Sequence, residues 1–144
     1  MSFVLSERSL KNYKTLHKDL KAVIDYALKI SEIDFAIVEG HRSVERQKLL
    51  FRKGKTRIDG INRLGKHNYD PSMAFDFCVI AKDVHIYDRD HLLYLIGIFK
   101  AIGGLLYEQG FISHRIRSGA NWDMDGVLLR DQSFDDMPHI ELIK

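Results

Sequence analysis

Two short stretches of this sequence set a histidine and a carboxylate where a loop meets a strand. The first is Lys66-His67-Asn68-Tyr69-Asp70-Pro71-Ser72-Met73-Ala74-Phe75-Asp76-Phe77. Its second half has the composition of a strand, in which alternate side chains share a face. Phe75, Phe77 and Val79 then point one way, and Ala74, Asp76 and Cys78 the other. Asp76 becomes a carboxylate in the middle of an otherwise apolar strand. Burying such a group unpaired costs several kcal/mol or more, so it needs a partner. A metal ion is one partner; an arginine or a set of backbone N–H donors is another, and the strand alone leaves both open. The second stretch is Asp135-Asp136-Met137-Pro138-His139-Ile140-Glu141-Leu142. Alternation here puts His139 and Glu141 on one face and Ile140 and Leu142 on the other. Neutral imidazole is a common ligand for divalent metals, and a carboxylate completes an N/O set suited to zinc. Asp136, in the loop just before this strand, is placed to reach a water on the metal without itself being a ligand.

The elements that must position these groups follow from periodicity. Leu10, Tyr13, Leu16, Leu20, Val23, Ile24 and Ala27 form one apolar stripe that predicts a helix over residues 9–30, with Ser6 and Ser9 as candidate N-caps. Phe35 to Val38 is a short strand closed by Gly40. Ser43 caps a second helix over Val44 to Lys53, and Gly54 lies just beyond its end. Residues 55–69 have no clear period and predict a surface loop. A core strand runs from Met73 to Ile80, and Asp88 opens a long amphipathic helix from Arg89 to Gln109 that Gly110 stops. His114 to Arg117 reads as a short strand, residues 118–136 as a Gly/Asp-rich loop, and Pro138 to Ile143 as the last strand. One helix, then strands interrupted by a long helix, predicts a single α+β domain over residues 1–144: a small, mainly antiparallel sheet packed with helices. No repeat or linker divides it, which leaves no room for a separate binding module.

Composition narrows the function classes. A chain of 144 residues with 45% apolar and 29% charged residues is an ordinary globular composition. The net charge of +2 is mildly basic, and no dense Lys/Arg block with interleaved aromatics marks a nucleic-acid surface. Cys78 is the only cysteine, so neither an intrachain disulfide nor a cysteine-based zinc site can form. Its setting in an apolar run is that of a small core residue. The N-terminus lacks the pattern of a secretory signal. The apolar run from Leu92 to Leu106, broken by Lys100 and glycines, reads as too short to span a bilayer. The expectation is a monomer made in the cytoplasm, without stable membrane insertion. Among the other histidines, His17, His91 and His114 have no acid at a telling spacing and are expected to be solvated or satisfied. His85 is expected in a loop, and His41 beside Arg42 is ambiguous. Neither a nucleophile elbow nor a phosphate-binding glycine loop is present.

Four segments taken together resemble the M15 family of zinc peptidases, especially the phage endolysins that act as L-alanyl-D-glutamate endopeptidases. They are Ile37-Val38-Glu39-Gly40-His41-Arg42-Ser43 with Arg46-Gln47, then His67 to Asp76, then Gly119-Ala120-Asn121-Trp122-Asp123, and then Asp136 to Leu142, in the family's order. The resemblance implies one Zn2+ per chain held by His67, Asp76 and His139. It implies Asp136 as the general base and Arg42 as the residue that binds or polarises substrate, with Trp122 in a segment bordering the cleft. The spacing from His67 to Asp76 is longer than the family's usual one and lacks its glycine. Asp70 also follows His67, but only Asp76 occupies the strand position. Three protein ligands leave a fourth position open, as in catalytic zinc sites. The implied substrates are peptidoglycan stem peptides, whose carboxylates suit a mildly basic protein. The implied setting is host-cell lysis, with the wall reached in the periplasm after the membrane is permeabilised. Two alternatives remain at this point: a D,D-carboxypeptidase or dipeptidase on the same scaffold, and a non-catalytic, zinc-stabilised wall-binding domain.

Overall fold

The apolar stripe near the N-terminus folds as two helices and not as one. The structure, a computed structural model, describes residues 2–56, 58–60, 64–82, 84–119, 124 and 136–144, with Asp136 described by its backbone alone. Helix α1 spans Glu7–Tyr13 and α2 spans Lys18–Ile30. Ser6 caps α1 by accepting from the Ser9 amide, and His17 caps α2 by accepting from the Asp19 amide. Between them the backbone turns away from helical pairing. The Ser72 amide donates to the Thr15 carbonyl at 2.8 Å, and the His17 amide donates to the Ser72 carbonyl at 2.9 Å. The spacing of the stripe is blind to this diversion, because the partner lies over fifty residues away in the chain.

The remaining elements are β1 (Asp34–Glu39), α3 (Val44–Arg52), a 3-10 turn at Lys66–Asn68, β2 (Ala74–Ala81), β3 (Val84–Ile86), α4 (Arg89–Glu108), β4 (Arg115–Gly119) and β5 (Asp136–Ile143). All the strand pairings are antiparallel, in the order β1-β2-β5-β4, with β3 on β2 as well. β5 pairs with residues 74–76 of β2 and β3 with residues 79–81, so they share one edge of that strand. The expected α+β architecture is the one observed. Three details differ from the pattern reading. His85 lies in strand β3 and not in a loop; β5 begins at Asp136, two residues early; and His67 sits in a buried 3-10 turn inside the supposed surface loop.

Helix α4 fills the other face of the sheet. Leu92, Leu95, Ile96, Phe99, Ile102, Gly103 and Leu106 are its buried residues. The Phe99 ring meets Phe35, Phe75 and Phe77 edge-on at centroid distances of 5.2, 5.3 and 5.0 Å. A Cβ on Gly103 would come within 2.7 Å of Ile116, so glycine here lets α4 settle against β4. By length and composition alone α4, at 20 residues, is long and apolar enough to cross a membrane, contrary to the sequence expectation. Its apolar side packs against the sheet. Phe75, Phe77 and Val79 thus face a helix-covered core. That leaves the opposite face of β2, where Asp76 points, for chemistry.

Candidate metal centre

Strand register alone places two of the three expected ligands side by side. Asp76 of β2 is the direct cross-strand partner of His139 on β5, and on its other side it faces Glu39 of β1. His67 arrives from the 3-10 turn, and that turn is firmly tethered. The Asn68 side chain accepts from the Gly65 amide at 2.8 Å and donates to the Arg42 carbonyl at 2.9 Å. The Arg42 amide donates to the His67 carbonyl at 2.7 Å, and the Met73 amide donates to the Lys66 carbonyl at 3.0 Å. His67 and His139 are buried, and the Asp76 side chain is 19% exposed, so the group opens to solvent at the carboxylate. Asp70, the alternative carboxylate, is exposed in the preceding loop.

Hydrogen bonds fix the tautomers. The Gly40 carbonyl can only accept, so His67 Nδ1, 2.7 Å away, carries the proton and donates to it. Glu141 is held below its ordinary value: burial opposes its charge, but His139 and Arg117 outweigh that penalty. Its ionised Oε1 accepts from His139 Nε2 at 2.8 Å. In the neutral form that a metal binds, the two imidazoles turn their remaining lone pair inward, His67 through Nε2 and His139 through Nδ1. Each inward nitrogen lies 3.2 Å from the same oxygen, Asp76 Oδ1.

That distance is one a metal could span. Four ligands at about 2.0–2.1 Å around tetrahedral zinc lie about 3.3–3.4 Å apart. A charge-assisted N–H···O bond would be shorter, about 2.7–2.9 Å. Two of the edges, at 3.2 Å, are close to those of such a polyhedron, and one donor atom from each of the three residues lies within 4.8 Å of the others. Imidazole and carboxylate donors are those zinc accepts, so the residues present fit the ion. Without a cation the lone pairs repel. Asp76 is held far below its ordinary range, since the two histidines outweigh the cost of its burial. His139, which burial alone would hold down, is pushed up to about 9 by Asp76 and Glu141.

A second group, His17, Asp19 and His114, also has metal-ligand composition. His17 and His114 were expected to be solvated or satisfied, and both are satisfied, around an acid that the spacing did not single out. Asp19 stands two residues from His17, and folding brings His114 to it from 95 residues away. The geometry is that of hydrogen bonding. His114 Nδ1 is 2.8 Å from Asp19 Oδ2, which also accepts from the Ser113 amide at 3.0 Å, and His17 Nδ1 accepts from the Asp19 amide at 3.0 Å. This cluster clamps the start of α2 to the segment entering β4. His91 likewise has a partner in Asp88, its Nδ1 lying 2.7 Å from Oδ1.

The other expected residues divide. Arg42 lies beside the site with its guanidinium engaged. Nε donates to Glu39 Oε1 at 2.8 Å, Nη2 to Glu39 Oε2 at 2.6 Å, and Nη1 to Gln47 Oε1 at 2.9 Å. Asp136 opens β5 opposite Gly119, and its side chain lies outside the described residues, as does Trp122. Sequence reasoning assigned nothing to Glu39, to the Gly40 carbonyl or to Arg117. Alternation did put Glu141 on the His139 face, which was the one available signal.

Comparison with known proteins bears on the whole chain. A sequence family described as phage L-alanyl-D-glutamate peptidase matches residues 1–143. No curated protein sequence matches the chain significantly. Among solved structures, the L-Ala D-Glu endopeptidase ChiX of Serratia marcescens is similar with a TM-score of 0.75 and 22% identity, over 97% of this chain and 90% of that one. At that identity the likeness is one of fold.

Proposed function

Because the chain belongs to the phage L-alanyl-D-glutamate peptidase family, we propose that it is a zinc peptidase acting on the L-Ala–D-Glu bond of peptidoglycan stem peptides, with His67, Asp76 and His139 as the ligands. The observation that carries the metal assignment is the pair of 3.2 Å approaches of two inward imidazole nitrogens to one carboxylate oxygen, with both outward ring nitrogens committed to acceptors. Among the three described side chains Asp76 is the most exposed, and a substrate would approach on that side.

Zinc, when bound, supplies a Lewis acid that polarises the scissile carbonyl and acidifies a water at the open position. The protein supplies the rest. Asp136, three residues before His139 at the start of β5, takes the proton of the attacking water and delivers it to the leaving amine. Glu39 fixes the Arg42 guanidinium beside this face. The substrate therefore meets a positive charge whose position Glu39 and Gln47 have already set, without the entropy cost of ordering a long side chain. The proposed setting is lysis of a host cell, with the wall reached from the cytoplasmic side once the membrane is permeabilised.

Metal analysis of purified variants tests the ligand set. One zinc per chain is expected in the wild type, and most of it should be gone in His67→Ala, Asp76→Ala and His139→Ala. Asp70→Ala should keep its metal. Full zinc in any of the first three, or loss in Asp70→Ala with retention in Asp76→Ala, would overturn the assignment.

A further inference from the structure

The outward nitrogen of His139 ends in a three-residue chain that crosses from β5 to β4. His139 Nε2 lies 2.8 Å from Glu141 Oε1, and Glu141 Oε2 accepts from Arg117 Nη2 at 2.7 Å. Two-residue spacing on β5 puts Glu141 on the same face as His139, and strand register sets Arg117 directly opposite Glu141. The Glu141 side chain is only 6% exposed, so its carboxylate is a buried anion with its two oxygens divided between two partners. A buried pair of this kind is a poor source of stability, because desolvation offsets most of the attraction. Stability alone therefore does not account for it, and its place beside His139 points to another use.

Geometry supplies that use. Turning the His139 ring by a half-turn would put carbon where each nitrogen now stands and break both the Asp76 and the Glu141 contacts. Arg117 fixes Oε2, Oε2 fixes the carboxylate plane, and Oε1 then fixes the ring. An acceptor on the outward N–H also makes the inward nitrogen a better electron-pair donor. His67 gets the same service more weakly, from the neutral Gly40 carbonyl.

We propose that Glu141 is a positioning residue of the metal centre, holding His139 in the tautomer that turns Nδ1 inward, and that Arg117 holds Glu141 in place. This rests on the zinc assignment above. Carboxylates in this position typically account for a 10- to 100-fold effect on affinity, by about the same factor expected here.

The test compares wild type, Glu141→Gln, Glu141→Asp and Arg117→Gln for zinc affinity, by competition with a chromophoric chelator, and for the visible spectrum of the cobalt(II) form. Glu141→Gln should bind zinc about 10- to 100-fold more weakly, with shifted cobalt bands, and Arg117→Gln should fall between it and wild type. Glu141→Asp keeps the charge for Arg117 but shortens the reach to His139. It should also lose affinity, and it carries the test alone if the glutamine variant does not fold. A merely structural ion pair would lower the unfolding midpoint of the metal-free protein equally in Glu141→Gln and Arg117→Gln and leave zinc affinity unchanged. Wild-type affinity and spectrum in both Glu141 variants would overturn the positioning role while leaving the zinc centre intact. Absence of zinc binding by the wild type would instead remove the metal assignment, and this role with it.

Discussion

Two imidazole lone pairs aimed at one carboxylate oxygen are tolerable only with a cation between them, and under the proposed zinc assignment a proton and a metal compete for that place. The proton's hold is visible in His139, whose pKa is pushed up to about 9. Chemistry needs one more group, and Asp136 is the candidate three residues upstream. If it moves the proton without ligating, Asp136→Ala should fold and retain zinc while turnover on peptidoglycan falls by about 10²–10⁴-fold. KM should change little, because proton transfer is felt in the transition state. A folded, zinc-loaded Asp136→Ala protein with wild-type turnover would remove Asp136 from the mechanism.

Strands do most of the positioning. The β2–β5 register makes Asp76 and His139 neighbours, and the end of β1 supplies the Gly40 carbonyl that orients His67. Gly40 has no space for a side chain: a Cβ would clash with Thr15 Oγ1 and come within 2.7 Å of the Asn12 carbonyl. Gly40→Ala should therefore cost about 1–3 kcal/mol of stability and weaken zinc binding by displacing that carbonyl. Gly97→Ala, where nothing lies within 4 Å of the added methyl, is the matched control. In mid-helix it should be neutral or stabilising by up to ~1 kcal/mol. Equal stability and equal zinc affinity in the two variants would show that the close approach at Gly40 has no consequence. These elements also show what a sequence can disclose. Period-two alternation made the faces of Asp76, His139 and Glu141 readable, since it is a local property of each strand. The 3-10 turn at His67 and the break between α1 and α2 were not readable, because distant backbone partners, Arg42 and Ser72, create them. The His114–Asp19 contact, 95 residues apart, is hidden for the same reason.

At the scale of the whole molecule, one core organises everything described. Phe99 of α4 packs on Phe35, Phe75 and Phe77, and the opposite face of β2 carries the metal-ligand group. The helix-backed sheet holds groups from residues 39 to 141 within one site, which lets a small chain present a rigid constellation. Family membership makes it a peptidase, and the choice of bond is where the rival scaffold activities diverge. The most direct measurement is mass spectrometry of Gram-negative peptidoglycan digested by the zinc-loaded protein. Free peptides beginning with D-glutamate should appear, leaving glycan that carries L-alanine alone, and zinc chelation should abolish their release. Stem peptides that lose only terminal D-alanine, or that remain uncut, would contradict an L-Ala–D-Glu endopeptidase.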